Sequence, residues 1–283
     1  MGAGIVCYDM SGELLFQLNA RGQGPGEYTD INAFAVNASL HQLVIYDNMK
    51  QSLMFYSTED GRFVKSEKFN KPTPAEIAYW GGYFFYHNRL HRNYQDDISL
   101  HYYLLASKDG ITIGKRYFKH ENNKEDYPFS PSGHNLYDNN SKLYYCRDFD
   151  NIVYQIHEDS VVPRFRINLP NPLPASMIEE RPNEMSLLRS GYSLGITDIY
   201  EYGGLLFFRF VKDGYIWSCL YNVEESKQVY CTKRIKFLHS SLIDTIDGIY
   251  KDCFYSILTP EYLDYAFSEN PLEDYPDLFK TYD

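Results

Sequence analysis

The chain has 283 residues, 44% of them hydrophobic and 17% aromatic, enough to fill one large domain or two ordinary ones and too much for a disordered chain. A formal charge of -11 argues against a nucleic-acid partner, which needs a basic stripe that this sequence lacks, and no apolar run nears the roughly 20 residues that cross a bilayer. Tyrosine (28) and phenylalanine (18) far outnumber methionine (6), which favours pleated surfaces buried on at least one face, so an all-β fold is expected.

From the amino terminus, Ile5 to Phe16 reads as a hairpin with a two-residue turn at Ser11-Gly12. Arg21-Gly22-Gln23-Gly24-Pro25-Gly26-Glu27-Tyr28 follows as a tight connection, because neither a strand nor a helix continues through three glycines and a proline. The turn glycines Gly12, Gly61 and Gly110 recur at a spacing of 49 residues, and the next step falls on Asp159 in a further turn. Between these polar hairpins lie continuous apolar runs: Leu43 to Tyr46, Tyr83 to Tyr86, Leu143 to Cys146, Leu205 to Phe208 and Cys253 to Leu258. Short continuous runs bury both faces of a strand, as in a sheet covered by a neighbour on either side.

Each unit thus combines an inner apolar pair with an outer polar pair, four antiparallel strands in about 40 to 50 residues, which is the pattern of a β-propeller blade. The predicted organisation is a single propeller domain over residues 1-283, with incomplete terminal blades. An outer hairpin spans 1-20, blades span about 31-69, 75-119, 132-169 and 191-237, an inner pair spans 242-258, and an acidic tail with a helix-start signal at Thr259-Pro260-Glu261 spans 259-283. If the terminal halves join, the ring has five blades.

The string Gly22-Gln23-Gly24-Pro25-Gly26-Glu27-Tyr28, with Val44-Ile45-Tyr46-Asp47 and Met54 to Phe63 after it, resembles the six-bladed β-propeller proteins common in Bacteroidetes, relatives of NHL-repeat propellers. The likeness runs on through Leu143 to Asp148 and Thr259-Pro260-Glu261-Tyr262. It implies six blades and a periplasmic or cell-surface location. The segment from Met1 has no signal-peptide pattern, so the residues by themselves point to the cytoplasm.

Long loops on a rigid scaffold are where binding concentrates. The predicted rim collects Arg21, Glu27 and Tyr28 from the glycine-rich loop, Asp47 after its strand, Arg89, Arg147 with Asp148, and Arg209. Arg89, Arg147 and Arg209 each follow or end an inner strand, and two readings stand. Converging guanidiniums would make an anion or carboxylate receptor; alternatively each pairs with an acid such as Asp148 or Asp150 and staples neighbouring blades. Glu27 and Tyr28 either present a carboxylate and a phenol to a sugar or peptide, or serve their own loop and the gap between blades. Asp47 either joins that site or caps the turn after its strand.

His87 and His91 have a metal-like spacing but lie at the end of a strand, and no catalytic motif, phosphate loop or metal ligand set is present. No cofactor, metal or catalytic residue is therefore expected. The five cysteines lack a C-x-x-C pair and read as small buried hydrophobes rather than a zinc site or a disulfide framework; if the hairpin turn is centred on Glu225, Cys219 and Cys231 face each other across two strands, where a bridge is geometrically open. The expected function is non-enzymatic binding of a carbohydrate, peptide or protein at the channel rim, without nucleic acid or membrane insertion. The alternative is a propeller lyase or hydrolase acting at the channel mouth.

Overall fold

Apolar runs bounded by turn residues become strands along the whole described chain. The computed structural model describes residues 4-9, 11-69, 73-88, 101-119, 130-131, 133-139, 141-180, 182-233 and 246-257. A first hairpin pairs β1 (Ile5–Tyr8) with β2 (Leu14–Leu18). Four four-stranded sheets follow, each ordered as in the chain. They are β3 (Ala33–Asn37), β4 (Gln42–Asp47), β5 (Ser52–Ser57) and β6 (Phe63–Lys68); then β7 (Pro74–Trp80), β8 (Tyr83–Asn88), β9 (Tyr102–Ser107) and β10 (Lys115–Lys119). The third holds β11 (Leu136–Asp138), β12 (Leu143–Cys146), β13 (Ile152–Ile156) and β14 (Val161–Arg166); the fourth holds β15 (Ser193–Tyr202), β16 (Leu205–Lys212), β17 (Tyr215–Asn222) and β18 (Lys227–Thr232). A last pair joins β19 (Gly248–Tyr250) to β20 (Cys253–Tyr255). Antiparallel meanders of this size are the blade unit of a β-propeller.

The recurring outer turns share one device. The carboxylate of Asp9 accepts from the Ser11 and Glu13 amides (2.8 and 2.9 Å), that of Asp60 from Arg62 (3.1 Å) and that of Asp109 from Ile111 and Thr112 (2.8 and 2.6 Å). Gly12, Gly61 and Gly110 supply the positive φ (84°, 70° and 83°) that lets the chain return. The first turn is longer than the predicted two residues: Asp9 N–H donates to Glu13 O at 2.9 Å, and Gly12 takes left-handed backbone in a turn built on the Asp9 side chain.

The chain divides into two compact units, one of Met1–Ser130, His134–Leu136 and Val153–Phe165, the other of Pro131–Gly133, Tyr137–Ile152 and Arg166–Asp283. In the first, the central strands β4 and β5 are buried on both faces, as their apolar runs require, while β3 exposes alternate residues and β6 is largely exposed. Val44, Tyr46, Leu53 and Phe55 pack with Ile77, Phe84, Tyr86 and Leu105 of the next sheet. On the opposite face Leu43, Ile45, Met54 and Tyr56 pack with Leu18 and Tyr28. Each such fully buried aliphatic side chain is worth roughly 1.5–3 kcal/mol.

First strands of successive sheets are joined by side chains instead of a backbone ladder. In the first unit Asn32 Nδ2 donates to Pro74 O (2.7 Å), and the Glu76 carboxylate accepts from the Asn135 and Leu136 amides (2.7 and 2.9 Å). In the second unit Tyr137 OH donates to Thr197 O, Asn139 Nδ2 donates to Ile199 O (3.2 Å), and Asn139 Oδ1 accepts from the Glu201 amide (2.6 Å). Tyr200 OH then reaches Asp247 O at 3.0 Å. Along the outer hairpin of the same unit, Cys219 lies opposite Cys231 with Cα atoms 4.1 Å apart, and the two are joined by a disulfide. Among the described residues no helix is long and apolar enough to cross a membrane. The predicted helix start at Thr259 lies outside the described residues.

Candidate functional site

Two loop-rich ends, one in each unit, hold the predicted site residues that the structure describes. In the first unit the glycine-rich loop closes on itself. Arg21 and Tyr28 bridge in parallel, with Gly22 N–H donating to Tyr28 O (2.9 Å), and the Glu27 carboxylate turns back to accept from the Gly24 amide at 2.8 Å. A side chain on residue 22 would place Cβ 2.0 Å from that carboxylate, so glycine is what gives it room. Lys50 Nζ donates to the Glu27 and Gly24 carbonyls (2.5 and 3.3 Å), and Tyr56 OH donates to Gly26 O (3.1 Å). Tyr28 is buried, with its hydroxyl on Leu18 O at 3.2 Å; burial pushes the phenol pKa up, partly offset by the Arg21 charge.

Asp47 ends β4 fully buried. Its carboxylate accepts from the Thr29 amide (2.6 Å), the Thr29 hydroxyl (2.7 Å) and the Lys50 amide (3.0 Å). Burial pushes this carboxyl up, but the Thr29 hydroxyl and the surrounding amides outweigh it and hold the pKa below the usual aspartate range. The loop leaves Arg21 exposed to solvent, while Glu27, Tyr28 and Asp47 are engaged with the loop and the strands that carry it.

In the second unit a β-bulge makes the site. Ile196 pairs with Phe210 and Ile199 with Phe208, so Thr197 and Asp198 together stand opposite the single residue Arg209. Arg209 Nε donates to Asp198 Oδ2 at 2.7 Å, with only 18% and 13% of the two side chains exposed. Only these two atoms are used in the pair: among the described residues neither Nη of Arg209 nor Asp198 Oδ1 has a hydrogen-bond partner. Nor is any of the three sealed from solvent.

The turn after β12 lies against the same strand. Gly195, at φ 94°, lies so close that a Cβ would meet the Phe149 Cα at 2.7 Å, and Ile196 N–H donates to Asp150 O at 3.0 Å. Within this turn Arg147 donates from Nε and Nη2 to Asp150 Oδ2 (3.0 and 2.6 Å), and Asp148 is half-buried. The connection into β15 is fixed by Ser193 N–H on Asn171 O (2.8 Å) and by Leu187, buried in the short helix α2 (Glu184–Leu188) that follows α1 (Ala175–Glu179). Cys146 is fully buried beside this turn; burial and then the Asp150 and Asp148 charges push its thiol well above the usual range, which makes it a poor nucleophile. Among the described residues no group of three metal-ligating side chains converges.

A family described as "Domain of unknown function (DUF4934)" matches residues 2–281. The chain belongs to this family. No curated protein matches it in sequence. Among solved structures it is similar to a protein of Bacteroides fragilis inferred to be exported, at 16% identity and a TM-score of 0.68, covering 81% of this chain and 65% of that one. It is also similar to a member of the DUF4221 family from Bacteroides vulgatus, at 12% identity and a TM-score of 0.51, covering 81% of this chain and 74% of that one. The DUF4934 chain thus spans just under two thirds of the first of these proteins. At such identities the likeness shows the fold alone, an all-β, propeller-like architecture in keeping with the repeated four-stranded sheets.

Of the predicted rim residues, the structure groups Arg21, Glu27, Tyr28 and Asp47 at one end of the first unit, and Arg147, Asp148 and Arg209 at one end of the second. Arg89 and His91 lie outside the described residues, as does most of the Lys119 to Ser132 loop, while His87 is buried on β8. Arg147 pairs within its own turn and Arg209 within its own sheet, so neither of these two ion pairs is a staple between neighbouring sheets. Sequence reasoning missed Asp198. The signal was there: Gly195 inside a strand pattern marks a bulge or a close backbone approach, and here it marks both.

Proposed function

We propose that the protein is a non-enzymatic binding module of the cell surface or periplasm, a six-bladed β-propeller that takes a carbohydrate, peptide or protein partner at a loop-bearing rim. The binding end is that of the second unit, at Asp198 and Arg209. One observation carries the reading: an ion pair largely shielded from water and set opposite a bulge, with two donors and one acceptor still unspent. Such a pair adds little to stability, since desolvation offsets attraction, and bulges beside sites re-aim side chains toward ligands.

Support for export is separate. The Cys219–Cys231 disulfide suits an oxidising compartment, and a structurally similar protein is inferred to be exported. Six blades rest on the resemblance of the Gly22 to Tyr28 string and on the succession of four-stranded sheets.

The test is calorimetric titration of soluble polysaccharides and peptides into the wild type and into an Asp198→Asn/Arg209→Gln double variant, which keeps the shape at 198, shortens the side chain at 209 and removes both charges. Binding that the double variant loses while its melting temperature holds supports this site. Ligands that bind both proteins equally would place binding elsewhere.

A further inference from the structure

We infer that the Asp198–Arg209 pair reads a vicinal diol, so that the ligand class is a neutral glycan rather than a carboxylate; this rests on the rim of the second unit being the binding end. The converging-guanidinium idea drawn from the sequence favoured an anion. The geometry changes the chemistry. Asp198 already neutralises Arg209 through Nε, so a ligand carboxylate would bring a second negative charge to a neutral pair, next to an Asp198 Oδ1 that needs a hydrogen and not another lone pair. Asp148, half-buried in the adjoining turn, and the formal charge of -11 weigh the same way.

What remains open on the pair is the two NH2 groups of the guanidinium and one carboxylate oxygen. A ligand satisfies them with one oxygen that accepts and another that donates a short distance away. Adjacent sugar hydroxyls do this, because each hydroxyl both donates and accepts. A single trans peptide group does not, since its N–H and C=O point in opposite directions across a planar unit. The depth of the pair strengthens these bonds, because hydrogen bonds to charged groups gain most where water competes least.

The experiment uses the full chain against immobilised α-mannan, arabinogalactan, xylan and polygalacturonate, each native and after periodate cleavage and borohydride reduction, which opens vicinal diols and leaves the polymer uncharged where it was uncharged. At least one neutral polymer is expected to bind, to lose binding after periodate, and to bind about 10- to 100-fold more weakly to the Asp198→Asn/Arg209→Gln variant, as expected for losing charge-assisted hydrogen bonds. Binding confined to polygalacturonate and lost in the variant overturns the diol while leaving the rim as the binding end. Binding that survives periodate overturns the diol as well. A polymer bound equally by wild type and variant overturns both the diol and the rim, and failure of every neutral polymer to bind overturns the diol.

Discussion

Replacing Gly22 with alanine tests whether the glycine-rich loop is built around its own carboxylate. Residue 22 does not lie in the left-handed region, so alanine is allowed by the backbone; the obstacle is Glu27, whose Oε2 and Cδ would stand 2.0 and 2.7 Å from the new methyl. The Glu27 side chain must then leave, and its bond from the Gly24 amide (2.8 Å) goes with it. A hydrogen bond to a charged acceptor contributes about 1.5–3 kcal/mol. Against this, alanine narrows the unfolded ensemble and returns about 0.4–1 kcal/mol. The expected net loss is about 1–2 kcal/mol by urea denaturation. In a Glu27→Ala background there is nothing to evict, so Gly22→Ala should be neutral or stabilising by up to about 1 kcal/mol. The four-protein cycle decides the matter: an equal cost of Gly22→Ala in both backgrounds would refute the reasoning.

Three further outcomes are expected. Because the Asp47 carboxyl titrates below its ordinary value, its contribution is present above the unfolded aspartate pKa and lost as pH falls through the folded one; the urea midpoint of the wild type should therefore drop more steeply between about pH 4 and 2 than that of Asp47→Asn. Gly195→Ala combines a positive φ of 94° with a Cβ 2.7 Å from the Phe149 backbone, and should cost about 2–4 kcal/mol and weaken rim binding with it. A melting temperature within a degree of wild type would contradict that contact. Thiol titration in denaturant should count the three free cysteines Cys7, Cys146 and Cys253 without reductant and all five after reduction, and Cys219→Ser/Cys231→Ser should lose about 2–3 kcal/mol, as expected for releasing a short closed loop.

The sheets were legible because two local signals agreed. Gly12, Gly61 and Gly110 marked the outer turns, and runs such as Leu43 to Tyr46 could be buried only between two neighbours. The facing of Cys219 and Cys231 followed from hairpin symmetry alone. The helices α1 and α2 were not legible, since five residues give no 3.6-residue period. At the site, charge could be read and pairing could not. Arg209 stood out as a cation ending an inner strand, but its partner depends on an extra residue in β15, and register is a property of two strands that neither states by itself.

The hydrogen bonds that Tyr137 and Asn139 make to β15 have a consequence for how such chains associate and diversify. They occupy Thr197, Ile199 and Glu201, alternate backbone groups along the free edge of that strand, so an approaching strand from another molecule meets an edge already taken, and edge-to-edge aggregation is blocked there. The same arrangement limits the exchange of sheets as modules. A copy of β15 moved elsewhere in the chain would leave behind the tyrosine and asparagine matched to it, and would arrive with three polar groups and no mates. Sheets joined in this way diversify as neighbouring pairs.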